Sequence, residues 1–187
     1  MKNTPLSMIA VLACVCIVVS AILGFVNFLT ADKIKAIAEE KVQNAMLELI
    51  PDSTFNKIEF AADASIDAMY EAKSADGTVN GVCVQTTFAG SVSNITIIVG
   101  VKPDNTISGV KITAIGETAG LGSKANSPEW LDQFKGLSDK LNLVKNKKEA
   151  ETDIVAISGA TETSTAVTNA VQVALDCAVE YLGGASK

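Results

Sequence analysis

The chain has 187 residues and a formal net charge of −6, with 48% hydrophobic but only 5% aromatic residues, so Val, Ile, Leu and Ala must build its core. It contains no His, and all 15 of its basic residues are Lys. This excludes Ser-His-Asp and Cys-His catalysis and His-ligated metals, and the acidic balance argues against binding nucleic acid.

Without Arg, a planar guanidinium fork for reversible phosphate capture is also missing. Chemistry here must come largely from a bound group. No catalytic side-chain set and no metal site is expected. The four cysteines, Cys14, Cys16, Cys83 and Cys177, show no CxxC or metal-ligand spacing. The first two read as small apolar residues, and a Cys83–Cys177 disulfide is left open.

Residues 6–29, LSMIAVLACVCIVVSAILGFVNFL, form an apolar run without a charge. Roughly 24 helical residues at ~1.5 Å each span ~36 Å, enough to cross a ~30 Å hydrocarbon core with some tilt. A cleavable signal peptide competes with this reading, but its apolar region is only about 7–15 residues long. A retained membrane-spanning anchor is favoured. Lys2 flanks one end, and Lys33, Lys35 and Lys41 flank the other, mixed with Asp32, Glu39 and Glu40. The charges alone give no orientation.

Residues 32–50 read as an amphipathic helix burying Ile34, Ile37, Ala38, Val42, Ala45 and Leu49, stopped by Pro51. Residues 66–115 alternate β-branched runs with turn clusters, predicting strands at 67–73, 79–88, 93–101 and 106–115 in an antiparallel meander. A small-residue loop, residues 116–122, precedes a short helix over 128–137, with Pro128 in its first turn. Residues 138–149 read as a solvated excursion, with Leu141, Leu143 and Val144 as candidates to pin it to the domain. A strand at 154–157 and a final helix at 163–182, stopped by Gly183 and Gly184, complete the chain. The expected class is α+β: a single transmembrane helix, then one domain with an antiparallel meander packed with helices. The expected segments are an anchor (1–30), a connecting helix (31–51) and a domain (52–187).

The stretch Ser158-Gly159-Ala160-Thr161 joins a strand to a helix. Gly159 and Ala160 permit close approach of another group. Ser158, Thr161, Thr163, Ser164 and Thr165 place five hydroxyls at the helix start. The free N–H groups and dipole there suit an anion such as phosphate. An ordinary Ser/Thr cap is the competing reading, because no GxxxxGK[ST] loop is present.

SGATETST resembles the flavinylation motif of the FMN-binding domain shared by the G subunits of Rnf complexes and the C subunits of sodium-pumping NADH:quinone reductases. Glu117-Thr118-Ala119-Gly120-Leu121-Gly122 resembles that family's ETPGLG loop, between a meander ending in GVKIT and a WLxQF helix at Trp130. The resemblance implies FMN joined covalently to Thr161 by a phosphoester that a flavin transferase makes from FAD. It also implies cofactor contacts from Ser158, Gly159, Ala160, Thr163, Ser164, Glu117, Thr118, Gly120, Leu121 and Gly122. For Glu117, a turn bond is the alternative; for Trp130, stacking on the flavin competes with a core role. Ala119 stands where the family has Pro, and Ile115 where many members have His. Val155 occupies a commonly acidic position, with Asp153 as the candidate substitute two residues upstream.

The function so implied is an electron-transfer subunit of a membrane ion-translocating ferredoxin:NAD oxidoreductase. It would be a redox subunit without independent catalytic activity, partnered by the other subunits, with its domain outside the cytoplasm. The alternatives are a stand-alone flavinylated carrier and a subunit of a sodium-pumping NADH:quinone reductase. An anchored binding protein without redox chemistry, in which SGAT is only a cap, is a further class. The single span has no charged intramembrane residue with which to carry an ion itself.

Overall fold

The structure is a computed structural model and describes residues 5–59 and 65–185; Lys2, one of the flanking charges, lies outside them. The chain divides into two compact units, Met1–Glu40 and Lys41–Lys187. Helix α1 runs Pro5–Leu49. Every side chain over residues 8–29 is exposed. Among the described residues, α1 is the one helix long and apolar enough to cross a membrane, so it fits a transmembrane segment.

The amphipathic expectation for residues 32–50 holds only at the end. Ile34 and Ile37 are 61% and 53% exposed, whereas Ala45, Met46, Leu49 and Ile50 are buried. The apolar spacing is continuous, but the sheet covers only the last turns. The helix ends as Pro51 requires, with one more backbone bond from Ile50 N–H to Met46 C=O at 2.9 Å.

Five strands follow, β1 (Thr54–Ile58), β2 (Ile66–Lys73), β3 (Val79–Ala89), β4 (Asn94–Val101) and β5 (Ile107–Ala114). They pair antiparallel in sequence order. Successive side chains on a strand face opposite sides. Ile95, Ile97, Val99 and Val101 therefore share one core with Val82 and Val84, while Ile98 and Cys83 belong to a second core with the end of α1. Cys83 and Cys177 sit in these separate cores. No disulfide joins them, and burial pushes the Cys83 thiol up to about 12.

The first core is closed by α3 (Thr161–Ala185), which presents Val167, Val171, Ala174, Leu175 and Ala178 to the sheet. This helix begins two residues earlier than expected and contains Gly183 and Gly184 instead of stopping at them. The helix over 128–137 is shorter than expected: α2 covers Pro128–Leu131, and a 3-10 turn covers Asp132–Phe134. Phe134 is fully buried, and Trp130 meets its ring edge-on at 5.4 Å.

Two pairings went unread in the sequence. Strand β1 is an edge strand, and β6 (Asn142–Val144) pairs parallel with β7 (Asp153–Val155), so the supposed excursion contains a strand. The three residues of β6 are too few to show a period, whereas β7 answers to the strand expected at 154–157.

The turns decide where the sheet can host a site. The β2–β3 and β4–β5 turns close themselves. Asp76 accepts from Thr78 N–H and Oγ1 at 3.1 and 2.7 Å, and Asp104 accepts from the same groups of Thr106 at 3.0 and 2.6 Å. Such Asx turns need no outside help. The β3–β4 turn, at the opposite end of the sheet, has no such acid of its own and borrows Glu117.

Candidate functional site

The loop after β5 folds back over the β3–β4 turn. Gly116 N–H donates to Ser93 Oγ at 2.9 Å. Glu117 Oε1 accepts from Val92 N–H at 2.9 Å and Ser93 N–H at 3.2 Å, while its Oε2 accepts from Thr163 Oγ1 at 2.8 Å. One carboxylate thus ties together the turn, the loop and the first turn of α3. The Val92 N–H is the main reason this carboxyl lies below its ordinary range, with Thr163 and Ser93 adding to the effect. The approach is close enough to require glycine at Gly122. A Cβ there would lie 2.6 Å from Glu117 Oε2 and 2.8 Å from Thr163 Oγ1.

After β7, Ala160 N–H bonds to Ile157 C=O at 2.9 Å, with Gly159 at φ +79. Buried Ser164 accepts from Ile157 N–H at 3.0 Å and donates to Ala160 C=O at 2.9 Å. Ser164 N–H bonds to Ala160 C=O at 3.0 Å, which makes Ala160 the cap residue of α3. Alanine has no side chain with which to cap. The N–H groups of Thr161, Glu162 and Thr163 therefore have no intrahelical acceptor. This disfavours the ordinary-cap reading of SGAT, because the residue at the cap position cannot perform that role.

Loop and helix start border an open cleft of about 350 Å³ lined by Ser91, Glu117, Thr118, Leu121, Gly122 and residues 159–163. Thr161 is exposed in this cleft, and its hydroxyl makes no hydrogen bond among the described residues. The cleft volume falls within the range usual for small-molecule sites, roughly 300–1,000 Å³. An uncapped helix start, an available hydroxyl and an apolar wall at Leu121 fit a phosphorylated, planar cofactor such as FMN. The lining contains no cation, so a phosphate has only the helix end to meet its charge.

The structure brings together most of the residues singled out in the sequence. Ser158 and Gly120 are exposed but do not line the cleft. Ser164 is buried beneath it as a brace. Thr165 donates to Thr161 C=O at 2.9 Å, turned back onto its own helix. Trp130 belongs to the core, its Nε1 donating to Val155 C=O at 2.8 Å.

Asp153 accepts from Asn142 Nδ2, Glu149 N–H and Ala150 N–H, which hold its carboxyl below the ordinary range. It organises the 149–153 turn and is poorly placed to substitute for an acid at Val155. Ser91 and Glu162 line the cleft, although the sequence reading did not single them out. Glu162, next to Thr161 in the helix start, could have been found; Ser91 reaches the site only through the turn that Glu117 holds.

A match to the FMN-binding domain family spans residues 90–176, covering both the loop and Thr161. The chain is 33% identical over 177 residues to the G subunit of the Na(+)-translocating ferredoxin:NAD(+) oxidoreductase complex of Acetobacterium woodii, covering 84% of each chain. It is 30% identical over 186 residues to the G subunit of the proton-translocating ferredoxin:NAD(+) oxidoreductase complex of Clostridium ljungdahlii, covering 98% of this chain and 96% of that one. The crystal structure of Shewanella oneidensis NqrC resembles it with a TM-score of 0.52 at 25% identity, over 68% of this chain and 69% of that one. The chain belongs to the G-subunit family of ion-translocating oxidoreductase complexes and carries that family's FMN-binding domain.

Proposed function

We propose that the protein is the electron-relay G subunit of a membrane ion-translocating ferredoxin:NAD oxidoreductase, with FMN joined by a phosphoester to Thr161. The observation that carries the attachment point is the unengaged Thr161 hydroxyl beside a helix start whose cap residue is Ala160. FMN supplies the capacity to accept and pass on electrons; the chain supplies position. In this reading the N–H groups of Thr161, Glu162 and Thr163 face the phosphate, and Leu121 and Thr118 offer a wall for the ring. Glu117 and Thr163 hold the two sides of the cleft at a fixed separation.

Attachment needs a flavin transferase as partner. The Thr161 Oγ–P bond forms as the P–O–P bridge of FAD breaks, AMP leaves and the hydroxyl proton is released. A covalent tether explains how a chain without Arg keeps a phosphorylated cofactor through repeated reduction and re-oxidation. Residues 6–29 anchor it in lipid, residues 31–51 lead out of the membrane, and residues 52–187 carry the cofactor on the extracytoplasmic side.

Mass spectrometry of the intact chain, purified from cells that possess the transferase, tests the attachment. The wild type is expected to carry the added FMN-phosphoryl mass, and Thr161→Ala is expected to lose it entirely. An unmodified wild-type chain sinks the reading.

A further inference from the structure

Two carboxylates, Glu117 and Glu162, line the cleft without an accompanying cation, and the chain has no Arg or His to provide one. The two acids differ in how they are held. Glu162 is exposed on the first turn of α3. Glu117 is half-buried, with both oxygens fixed by Val92 N–H at 2.9 Å, Ser93 N–H at 3.2 Å and Thr163 Oγ1 at 2.8 Å. These donors come from two separate segments, so the carboxylate cannot swing into solvent without breaking bonds to both.

We propose that Glu117 is a fixed negative charge that holds the reduction potential of the cleft's flavin low, a role that rests on the FMN reading above. Each electron added to a flavin brings one negative charge unless a proton follows from solvent. A neighbouring carboxylate that cannot move raises the free energy of the reduced form relative to the oxidised one. The attenuation is weaker in a part-shielded cleft than in bulk water. Glu162, in contrast, is screened by solvent and salt. The bonds that fix Glu117 also favour its ionised form, so the charge persists through neutral pH.

The test is a reductive titration of the full-length flavinylated protein in detergent, followed by flavin absorbance. Glu117→Gln is nearly isosteric: its amide oxygen can accept from Val92 and Ser93, and its amide nitrogen can donate to Thr163 Oγ1. The charge is removed while the tie survives. The expected result is a midpoint shifted to more positive potential in E117Q, a smaller shift in E162Q, and a near wild-type midpoint in E117D. E117D keeps the charge but is one methylene too short for the full set of bonds.

A role in positioning alone gives the reverse order, with E117Q unchanged and E117D shifted, and that order overturns the proposal. If E117Q does not retain flavin, Thr163→Val replaces it, keeping the carboxylate while removing one donor. With the carboxylate's charge less compensated, a more negative midpoint there supports the proposal, and an unchanged or more positive one overturns it. A wild-type chain without flavin overturns both this inference and the FMN reading. A flavinylated wild type with an unshifted, flavin-bearing E117Q overturns this inference alone.

Discussion

Glu117 and Asp153 use the same device in different places. Each is an acid whose carboxylate receives three hydrogen bonds, and each is held below its ordinary carboxyl range by them. Asp153 points its bonds into its own neighbourhood, closing the turn after the Lys-rich segment, and is itself buried. Glu117 ties a turn to a helix 46 residues further along the chain, and a cleft opens beside it. A well-held acid is therefore not in itself the mark of a site. The site comes from what lies next to it: an available hydroxyl and a helix without a cap.

The largest expected effect separates the two acids directly. Glu117→Ala should cut covalent flavin occupancy several-fold, because the carboxylate that joins the β3–β4 turn to Thr163 at the start of α3 is then gone. Asp153→Ala should leave occupancy at the wild-type level while lowering the melting temperature. In-gel fluorescence of denatured chains, read beside a thermal melt, compares them; equal loss of flavin in both would erase the distinction between the two acids.

Next in size is the brace under the cleft. Ser164→Ala leaves the Ile157 N–H without its acceptor in a buried position, which costs about 1–3 kcal/mol. The urea midpoint should fall accordingly. Thr165→Ala, which removes only a bond back to its own helix, should stay within about 0.5 kcal/mol.

The smallest effect lies in pH. Both acids have a folded-state pKa below the unfolded one, so the unfolded chain binds protons first as pH falls. Their contribution is complete above the ordinary carboxylate range and is lost as pH falls through it and then through the lowered folded values. Equilibrium urea unfolding should show stability flat towards neutrality and declining on the acid side. Asp153→Asn should remove only part of the decline, since Asp76 and Asp104 share the same direction of shift.

The sequence was most readable where physical period and chain length agree. Ile95, Ile97, Val99 and Val101 announced a strand face and occupy one. The same logic overreached at Ile34 and Ile37, whose helical spacing is correct but whose side chains stay exposed. It fell short at β6, a three-residue strand whose parallel pairing with the expected β7 went unread. At the site, Thr161 and the Glu117–Gly122 loop could be singled out because two runs, SGATETST and ETAGLG, resemble family motifs; local chemistry at Thr161 alone left an ordinary cap open. The separate duties of Thr163, Ser164 and Thr165 could not, because direction around a helix start is decided by tertiary partners: Thr163 found Glu117, and Ser164 found Ile157.

Ala160 gives the molecule a way to record its own maturation. A capping side chain is typically worth about 1 kcal/mol to a helix, and α3 begins without one. In the proposed mature form, the phosphate of the attached cofactor would take that place, finishing a helix that the polypeptide alone leaves open. The amides of Thr161, Glu162 and Thr163 should then exchange hydrogen with solvent quickly in a newly made chain and slowly in a completed one. Amide exchange at one turn of backbone would report whether the protein is ready for assembly.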